Sequence, residues 1–161
     1  MPVRYCTPKE QMNHRGVTLI ELVVVLVIIA MGAVLLAPNI GAWLPNYRLR
    51  SATRDIVSAM RTAQMKAISN GVQYRVNFNT AEVGAANGYI LQLNNGGVWL
   101  NDGAVQTLPV GITINIDQLP AGRALFNPNS TSTAGSSTLQ NTRGAQKKIS
   151  ITSATGRIRI E

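Results

Sequence analysis

The spacing of apolar residues changes twice along the chain. Residues 22–37 form a run of sixteen residues without a polar side chain. Between Tyr47 and Asn70 the apolar residues recur at steps of three and four, which is typical of an amphipathic helix, and Gly71 is suited to end it. Beyond Gly71 apolar and polar residues alternate, as in strands with one buried face. The pattern predicts a long N-terminal helix followed by a sheet.

The amphipathic and alternating segments supply the predicted core. The buried helix face is predicted to be Leu49, Ala52, Ile56, Met60, Ala63 and Ala67. Strands are predicted at Tyr74–Phe78, Tyr89–Leu93, Ile112–Ile116, Ile149–Ile151 and Ile158–Ile160. Residues 94–97 and 153–156 predict turns. Residues 127–141, ten of which are Ser, Thr or Asn, predict a mobile loop. We expect one antiparallel sheet of about five to seven strands packed on the helix.

The apolar run is long enough to cross a membrane. Together with Val17–Glu21 it forms a segment of 21 residues, about 32 Å of helix against a hydrocarbon core of about 30 Å. Basic residues before it, Arg15 among them, favour a cytoplasmic N-terminus. A buried core helix and a cleaved secretory signal are the alternatives, although no small-x-small cleavage site follows the run before Pro38.

Glu21 is an acidic residue beside this apolar run. A carboxylate is costly in lipid, so it has a partner or a function by default. One interpretation is that its side chain reaches the membrane interface. The other is that it pairs with a cation at the same depth. Because no Lys or Arg lies between Arg15 and Arg48, that cation would come from outside the segment, for example from the α-amino group of a neighbouring chain.

Residues 15–22, with the sequence RGVTLIEL, resemble the class III signal of type IV prepilins. In that signal a glycine is followed five residues later by a glutamate and then by a long apolar run. The resemblance implies cleavage by prepilin peptidase between Gly16 and Val17, and N-methylation of Val17, which replaces the usual phenylalanine or methionine. Glu21 would then pair with the N-terminal amine of an adjacent subunit. Translation from Met12 would shorten the leader to five residues.

The resemblance also implies an α+β, pilin-like fold in four regions. These are a leader peptide at 1–16, a transmembrane half-helix at 17–37, a periplasmic amphipathic half-helix at 38–70 and an antiparallel sheet domain at 71–161. Pro38 stands where pilin helices commonly carry a proline that contributes to assembly. Proline removes a backbone donor, so Pro38 and Pro45 predict a kink or local melting of the helix.

Residues 46–52 and 153–160 are similar to the GspH/FimT group of minor pseudopilins and fimbrial T proteins. The similarity implies a structural subunit of a type II secretion pseudopilus or of a type IV pilus. Its implied partners are prepilin peptidase, other pilins through helix packing, and the bacterial inner membrane, from which it moves into a filament. Major members of the resembled family commonly carry a C-terminal disulfide or, in pseudopilins, a calcium site. The residues after Gly16 hold no cysteine and only scattered acidic residues, so the resemblance implies a minor subunit rather than a major one.

Enzymatic chemistry is not indicated by the residue types. Cys6 and His14 both precede Gly16, so the processed chain would have no residue for Cys-His or Ser-His catalysis. The same absence argues against a disulfide scaffold and a zinc site, and we expect no cofactor. A membrane-tethered enzyme is therefore the weakest class, and a single-pass anchored binding domain without a filament role stays open.

Positive charge is concentrated near the end of the chain, where residues 123–161 carry a net charge of +5. Residues 156–159, Gly-Arg-Ile-Arg, are similar to the Gly-Arg-x-Arg signature of fimbrial T proteins that bind DNA during natural transformation. This implies an alternative function, contact with double-stranded DNA through its phosphates. The candidate residues are Arg143, Lys147, Lys148, Arg157 and Arg159. Ordinary solvent-facing residues of an edge strand are the competing interpretation.

Overall fold

The computed structural model describes residues 17–85 and 87–161, with the side chains of residues 35–40 and 42 excepted. The predicted leader at 1–16, including Gly16, lies outside the described residues. The chain divides into two units, residues 1–39 and 40–161. Within the described ranges, no helix meets the length and hydropathy expected of a membrane span.

Helix α1 spans Leu19–Asn70. Pro38 and Pro45 both lie inside these bounds, so the expected local melting is not observed. A proline removes its own backbone donor, while the hydrogen bonds of neighbouring turns remain available to keep the helical conformation. Gly71 follows the last turn with φ of 67°, the left-handed conformation that commonly ends helices. The predicted end of the helix is therefore confirmed.

Two antiparallel sheets follow the helix in the described part of the chain, where one sheet was expected. The strands are β1 (Tyr74–Asn77), β2 (Gly88–Asn95), β3 (Val98–Asn101), β4 (Gln106–Thr107), β5 (Ile112–Gln118), β6 (Arg123–Phe126), β7 (Gly135–Asn141), β8 (Gln146–Thr152) and β9 (Arg157–Ile160). The first sheet has the order β3-β2-β1-β6, with β4 paired to β2, and the second has the order β5-β7-β8-β9. A short helix α2 (Thr80–Val83) follows β1. All five predicted strands are present.

The predicted mobile loop at 127–141 is wrong in its second half. Residues 135–141 form β7, which pairs with β5 on one side and β8 on the other. Ser and Thr made this segment resemble a loop, but its backbone is paired on both sides and Leu139 points into the core with no exposed surface. Threonine is also β-branched and suits a strand. The turn before β7 carries an isolated bridge between Phe126 and Ser132.

The core lies between the second half of α1 and both sheets. All six residues predicted for the buried helix face are buried. Their cluster includes Val76 and Phe126 from the first sheet and Leu139 and Ile149 from the second. Alanine at three of the six helix positions leaves little side chain between helix and strands, which permits close approach. Burial of this face holds the sheets on the helix.

Candidate functional site

The N-terminal end of α1 is capped by Thr18. Its Oγ1 accepts a hydrogen bond from the backbone N–H of Glu21 at 3.3 Å, and its carbonyl accepts one from the N–H of Leu22 at 3.2 Å. Threonine followed three residues later by glutamate is the sequence pattern of a capping box. The spacing of Thr18 and Glu21 is therefore the sequence signal for this cap.

Glu21 lies in the first turn of α1, where the helix dipole favours a negative charge. Its carboxylate is exposed and forms no hydrogen bond or ion pair with another described residue. Val17, the predicted first residue after cleavage, is 71% exposed. The described residues thus present a capped helix start and an exposed carboxylate that has no partner among them.

The first part of α1 exposes apolar side chains on all its sides. From Leu19 to Val34 the large apolar residues are 42–82% exposed. A helix that is apolar all round is stable when it is surrounded by other apolar groups, such as lipid chains or neighbouring helices. This exposed apolar surface is therefore typical of a helix that lies among lipid chains or other helices, and the described chain does not cover it. Pro38 lies in the same helix, but its side chain is outside the described set.

The β8–β9 hairpin brings three of the five predicted basic residues together. Ser150 pairs with Arg159 and Thr152 pairs with Arg157. Because side chains alternate along a strand, Lys148, Arg157 and Arg159 share the face opposite the buried Ile149. Glu161 is on this face too, since its backbone pairs with Lys148 at 3.0 and 2.8 Å. We call Lys148, Arg157 and Arg159 the outer basic face.

Lys147 and Arg143 lie away from the outer basic face. Lys147 is on the opposite side of β8, where it lines a cavity of about 300 Å³ together with Arg50, Arg54 and Ile160. Arg143 is in the β7–β8 turn, and its guanidinium donates to the carbonyl oxygen of Gly41 at 3.1 Å. The five predicted residues therefore do not form one surface.

Gly156 begins the Gly-Arg-x-Arg sequence and has a structural role of its own. Its φ is 60°. A Cβ atom at this position would lie 2.5 Å from Nε2 of Gln64 and 2.6 Å from the carbonyl oxygen of Ser130. The β8–β9 turn therefore needs a glycine for both its backbone conformation and its packing against α1.

The first sheet carries a cluster of charged side chains, Arg75, Glu82 and Arg123, that the sequence pattern did not predict. Arg75 is 7% exposed, donates to Oε1 of Gln92 at 2.7 Å and lies 4.1 Å from the ring centroid of Trp99. The Glu82 carboxylate contacts both Arg75 and Arg123. Burial, followed by the charge of Arg123, lowers the pKa of Arg75 to about 10. Alternation along β1, with Tyr74 and Val76 buried, would by itself place the Arg75 side chain on the solvent-facing side.

A larger cavity of about 420 Å³ lies beside α1, against β2 and residues 102–109. Asp55 and Asp102 both line it, and Asp102 forms an ion pair with Lys66 at 2.8 Å. Burial, with the charge of Asp55 adding to it, raises the pKa of Tyr89. Across residues 17–85 and 87–161, no three potential metal ligands of the His, Cys, Asp or Glu type lie together.

Two known sequence families match this chain, one at the start of α1 and one over the later part of α1 and most of the strands. The prokaryotic N-terminal methylation motif matches residues 11–37. The family described as type II transport protein GspH matches residues 52–156, more than half of the chain. This chain belongs to the GspH family. The comparison with curated proteins gives no match.

Solved structures of pilin-like proteins share the fold of this GspH-family chain. The minor pseudopilin EpsH from the type 2 secretion system of Vibrio cholerae has a TM-score of 0.59 at 11% identity, over 71% of this chain and 96% of EpsH. The type IV minor pilin FimU of Pseudomonas aeruginosa has a TM-score of 0.58 at 18% identity, over 72% of this chain and 90% of FimU. At these identities the likeness shows the fold, and it confirms the predicted pilin-like α+β architecture.

Membership of the GspH family confirms the predicted class, a minor pseudopilin or minor pilin. The methylation motif covers Gly16, Val17 and Glu21, the residues on which the resemblance rested. The family and its structural neighbours are structural subunits. For this GspH-family chain, cleavage after Gly16, methylation of Val17 and the assembly roles of Glu21 and Pro38 stay predictions.

Proposed function

We propose that this protein is a minor structural subunit of a type II secretion pseudopilus or a type IV pilus, assembled through α1 without catalytic turnover. One observation carries the proposal. Behind the N-terminal methylation motif, a helix that exposes apolar residues on all sides begins with a capped turn and a Glu21 carboxylate that has no partner among the described residues.

The proposed topology follows from the motif and the charge pattern. Prepilin peptidase removes the leader at 1–16 on the cytoplasmic side of the inner membrane. Residues 17–37 anchor the subunit, and residues 38–161 lie in the periplasm. The motif supports anchoring, and the basic residues of the leader favour a cytoplasmic N-terminus.

Assembly then depends on charge neutralisation. Cleavage after Gly16 exposes the amine of Val17, and the Thr18 cap holds Glu21 in the first helical turn. An isolated carboxylate or ammonium is costly among apolar helices, whereas the two together are much less so. The Glu21 carboxylate of one subunit therefore pairs with the Val17 amine of its neighbour, and the exposed apolar side chains pack around the pair.

Substitution of Glu21 tests the proposal. Glu21→Gln removes the charge at nearly constant shape, while Glu21→Asp keeps the charge as the matched control. We expect Glu21→Gln to be processed and membrane-bound, but to fall at least tenfold in sheared filaments on immunoblots. Normal incorporation of Glu21→Gln would contradict the pairing role, and loss of processing would place Glu21 in peptidase recognition instead.

Contact with double-stranded DNA is a second candidate function. The observation that favours it is the convergence of Lys148, Arg157 and Arg159 on one sheet face. The family and structural comparisons give it no support, and Glu161 reduces the positive charge of that face. Lys147 and Lys148, which are adjacent in sequence but lie on opposite sides of β8, allow this function to be tested by charge reversal.

A further inference from the structure

A basic concave surface lies between α1 and the β8–β9 edge of the second sheet. Its main cavity, about 300 Å³, is lined by Arg50, Arg54, Lys147 and Ile160. An adjoining cavity of about the same volume is lined by Tyr47, Arg50, Ser51, Arg54 and Asp55. We call the surface formed by Arg50, Arg54 and Lys147 the basic cleft.

The cations of the basic cleft are unpaired in the described chain. Arg50, Arg54 and Lys147 form no ion pair or hydrogen bond with another described residue. Arg50 and Arg54 are one helical turn apart, where like charges destabilise a helix. Among the described residues that line the two cavities, Asp55 is the one acid. An anionic group in the cleft would relieve this repulsion.

Aromatic residues extend the cleft along the same face of α1. Trp43, Tyr47, Arg50 and Arg54 follow each other at steps of four, three and four, so they share one side of the helix. The Trp43 and Tyr47 rings stack with centroids 4.9 Å apart and are 59% and 53% exposed. Trp, Tyr and Arg are the residue types that contribute most to binding energy at protein interfaces.

The mixture of groups indicates what occupies the cleft. Ile160 is 46% exposed beside the three cations, so the surface offers both apolar contact and positive charge. An amphipathic protein segment with acidic residues matches both, whereas a DNA duplex offers mainly phosphates. A second copy of this chain is disfavoured because residues 17–161, which remain after the proposed cleavage, carry a net charge of +6.

We propose that the basic cleft, together with Trp43 and Tyr47, docks an acidic amphipathic segment of a neighbouring, different subunit of the filament. The inference rests on the proposed function and adds to it the surface and the charge of the partner. Lys147 belongs to this interface, while its neighbour Lys148 points to the opposite side of the sheet and does not.

Photo-crosslinking of the full-length protein in the cells that produce it tests the inference. A photoreactive amino acid replaces Ser51, which lines the adjoining cavity beside Arg50 and Arg54, or Ser58, an exposed residue of α1 that lines the larger cavity of about 420 Å³ instead. We expect the Ser51 probe to yield an adduct with another pilin-family subunit, joined to a peptide that contains Asp or Glu. The Ser58 probe should not give this adduct.

Charge reversal then shows whether the adduct depends on the cleft. Arg50→Glu with Arg54→Glu should reduce the adduct at least tenfold, and Lys147→Glu should reduce it severalfold. Arg61→Glu and Lys148→Glu are the controls outside the cleft. Each changes the charge as much as Lys147→Glu, and together they change it as much as the Arg50→Glu, Arg54→Glu variant. They should leave the amount of adduct within twofold. Changing the crosslinked partner's acidic residue to Lys should restore the adduct in the Arg50→Glu, Arg54→Glu variant. Thermal unfolding by circular dichroism verifies that each variant is folded.

Several outcomes would overturn the inference. The first is a Ser51 adduct with a second copy of this chain, with a lipid or with nucleic acid. The second is an adduct that charge reversal in the cleft leaves unchanged, and the third is the absence of any Ser51 adduct. Incorporation of the Glu21 variants into filaments is measured in parallel. If incorporation depends on Glu21 but the Ser51 adduct is absent, only the docking proposal is refuted. If incorporation does not depend on Glu21, the proposed function itself is refuted.

Discussion

Gly156 is a residue at which sequence and structure support different interpretations. In the sequence it opens a Gly-Arg-x-Arg pattern similar to a DNA-binding signature. In the structure its positive φ and its closeness to Gln64 and Ser130 already require a glycine. A glycine that the fold needs gives no evidence about DNA, so only the cations of the outer basic face favour that function.

Replacement of Gly156 by alanine should destabilise the folded domain. An alanine at this positive φ costs about 1 kcal/mol in backbone conformation, and displacement of Gln64 or the Ser130 carbonyl by its Cβ costs about 1–3 kcal/mol more. We expect the free energy of unfolding to fall by about 2–4 kcal/mol in urea titrations. Gly144→Ala, which also has a positive φ but meets nothing closer than 3.9 Å, is the control for the backbone effect. Equal losses in the two variants would show that packing at Gly156 contributes nothing.

Helix α2 is attached to the first sheet by charged side chains. The alternation of apolar and polar residues along β1 alone would place Arg75, one of these charges, on the solvent-facing side. Glu82 of α2 contacts Arg75 of β1 and Arg123 of β6, and Asn77 of β1 donates to the same carboxylate at 2.8 Å. Two arginines therefore share one carboxylate. Alternation along β1 predicted the buried Val76 correctly, but it could not show that α2 would cover the other face.

Removal of the Glu82 charge should destabilise this contact between elements. In Glu82→Gln the buried Arg75 loses its counter-charge while Arg123 stays nearby. Because the Glu82 side chain is 37% exposed, we expect a loss of about 1–3 kcal/mol, less than the 3–5 kcal/mol typical of a fully buried pair. Asp102→Asn leaves Lys66 without its partner, but the Lys66 side chain is 42% exposed, whereas that of Arg75 is 9% exposed. This change should therefore cost less than about 1 kcal/mol in the same urea titrations. A Glu82→Gln loss no larger than that of Asp102→Asn would contradict a role for burial.

At the scale of the whole molecule, the arrangement of the sheets divides the positive charge between separate surfaces. Lys147 and Lys148 are adjacent in sequence, but the pleat of β8 sends one to the basic cleft and the other to the outer basic face. Arg143 is at the β7–β8 turn, near Gly41. The five residues predicted to bind DNA are thus reduced to three that can act together.

This division yields a test of DNA binding with adjacent residues. If the outer basic face contacts duplex phosphates, Lys148→Glu should weaken binding of full-length protein in detergent at least tenfold, and Lys147→Glu less than threefold. With three phosphate contacts, the logarithm of affinity should fall with the logarithm of salt concentration with a slope of about −2.7. Fluorescence anisotropy with a labelled duplex measures both. Equal effects of the two variants, or binding insensitive to salt, would contradict this role.

The features that depend on local pattern could be predicted from the order of residues. Helical spacing identified all six buried positions from Leu49 to Ala67, alternation identified five strands, and Gly71 marked the end of α1. The motif at residues 15–22 indicated the family that the comparisons confirm. These succeed because the spacing of side chains along a helix or strand is fixed by backbone geometry.

The contacts between groups that are distant in sequence became apparent from the folded structure. It placed a polar segment inside the second sheet as β7, buried Arg75 beside Glu82 of α2 and Trp99, and brought Lys147 next to Arg50 and Arg54 of α1. None of these follows from local spacing, because each depends on which strand lies beside which and on which face a neighbouring element covers. Strand pairing satisfies the backbone of β7 whatever its side chains, and the counter-charge of Glu82 makes the burial of Arg75 tolerable.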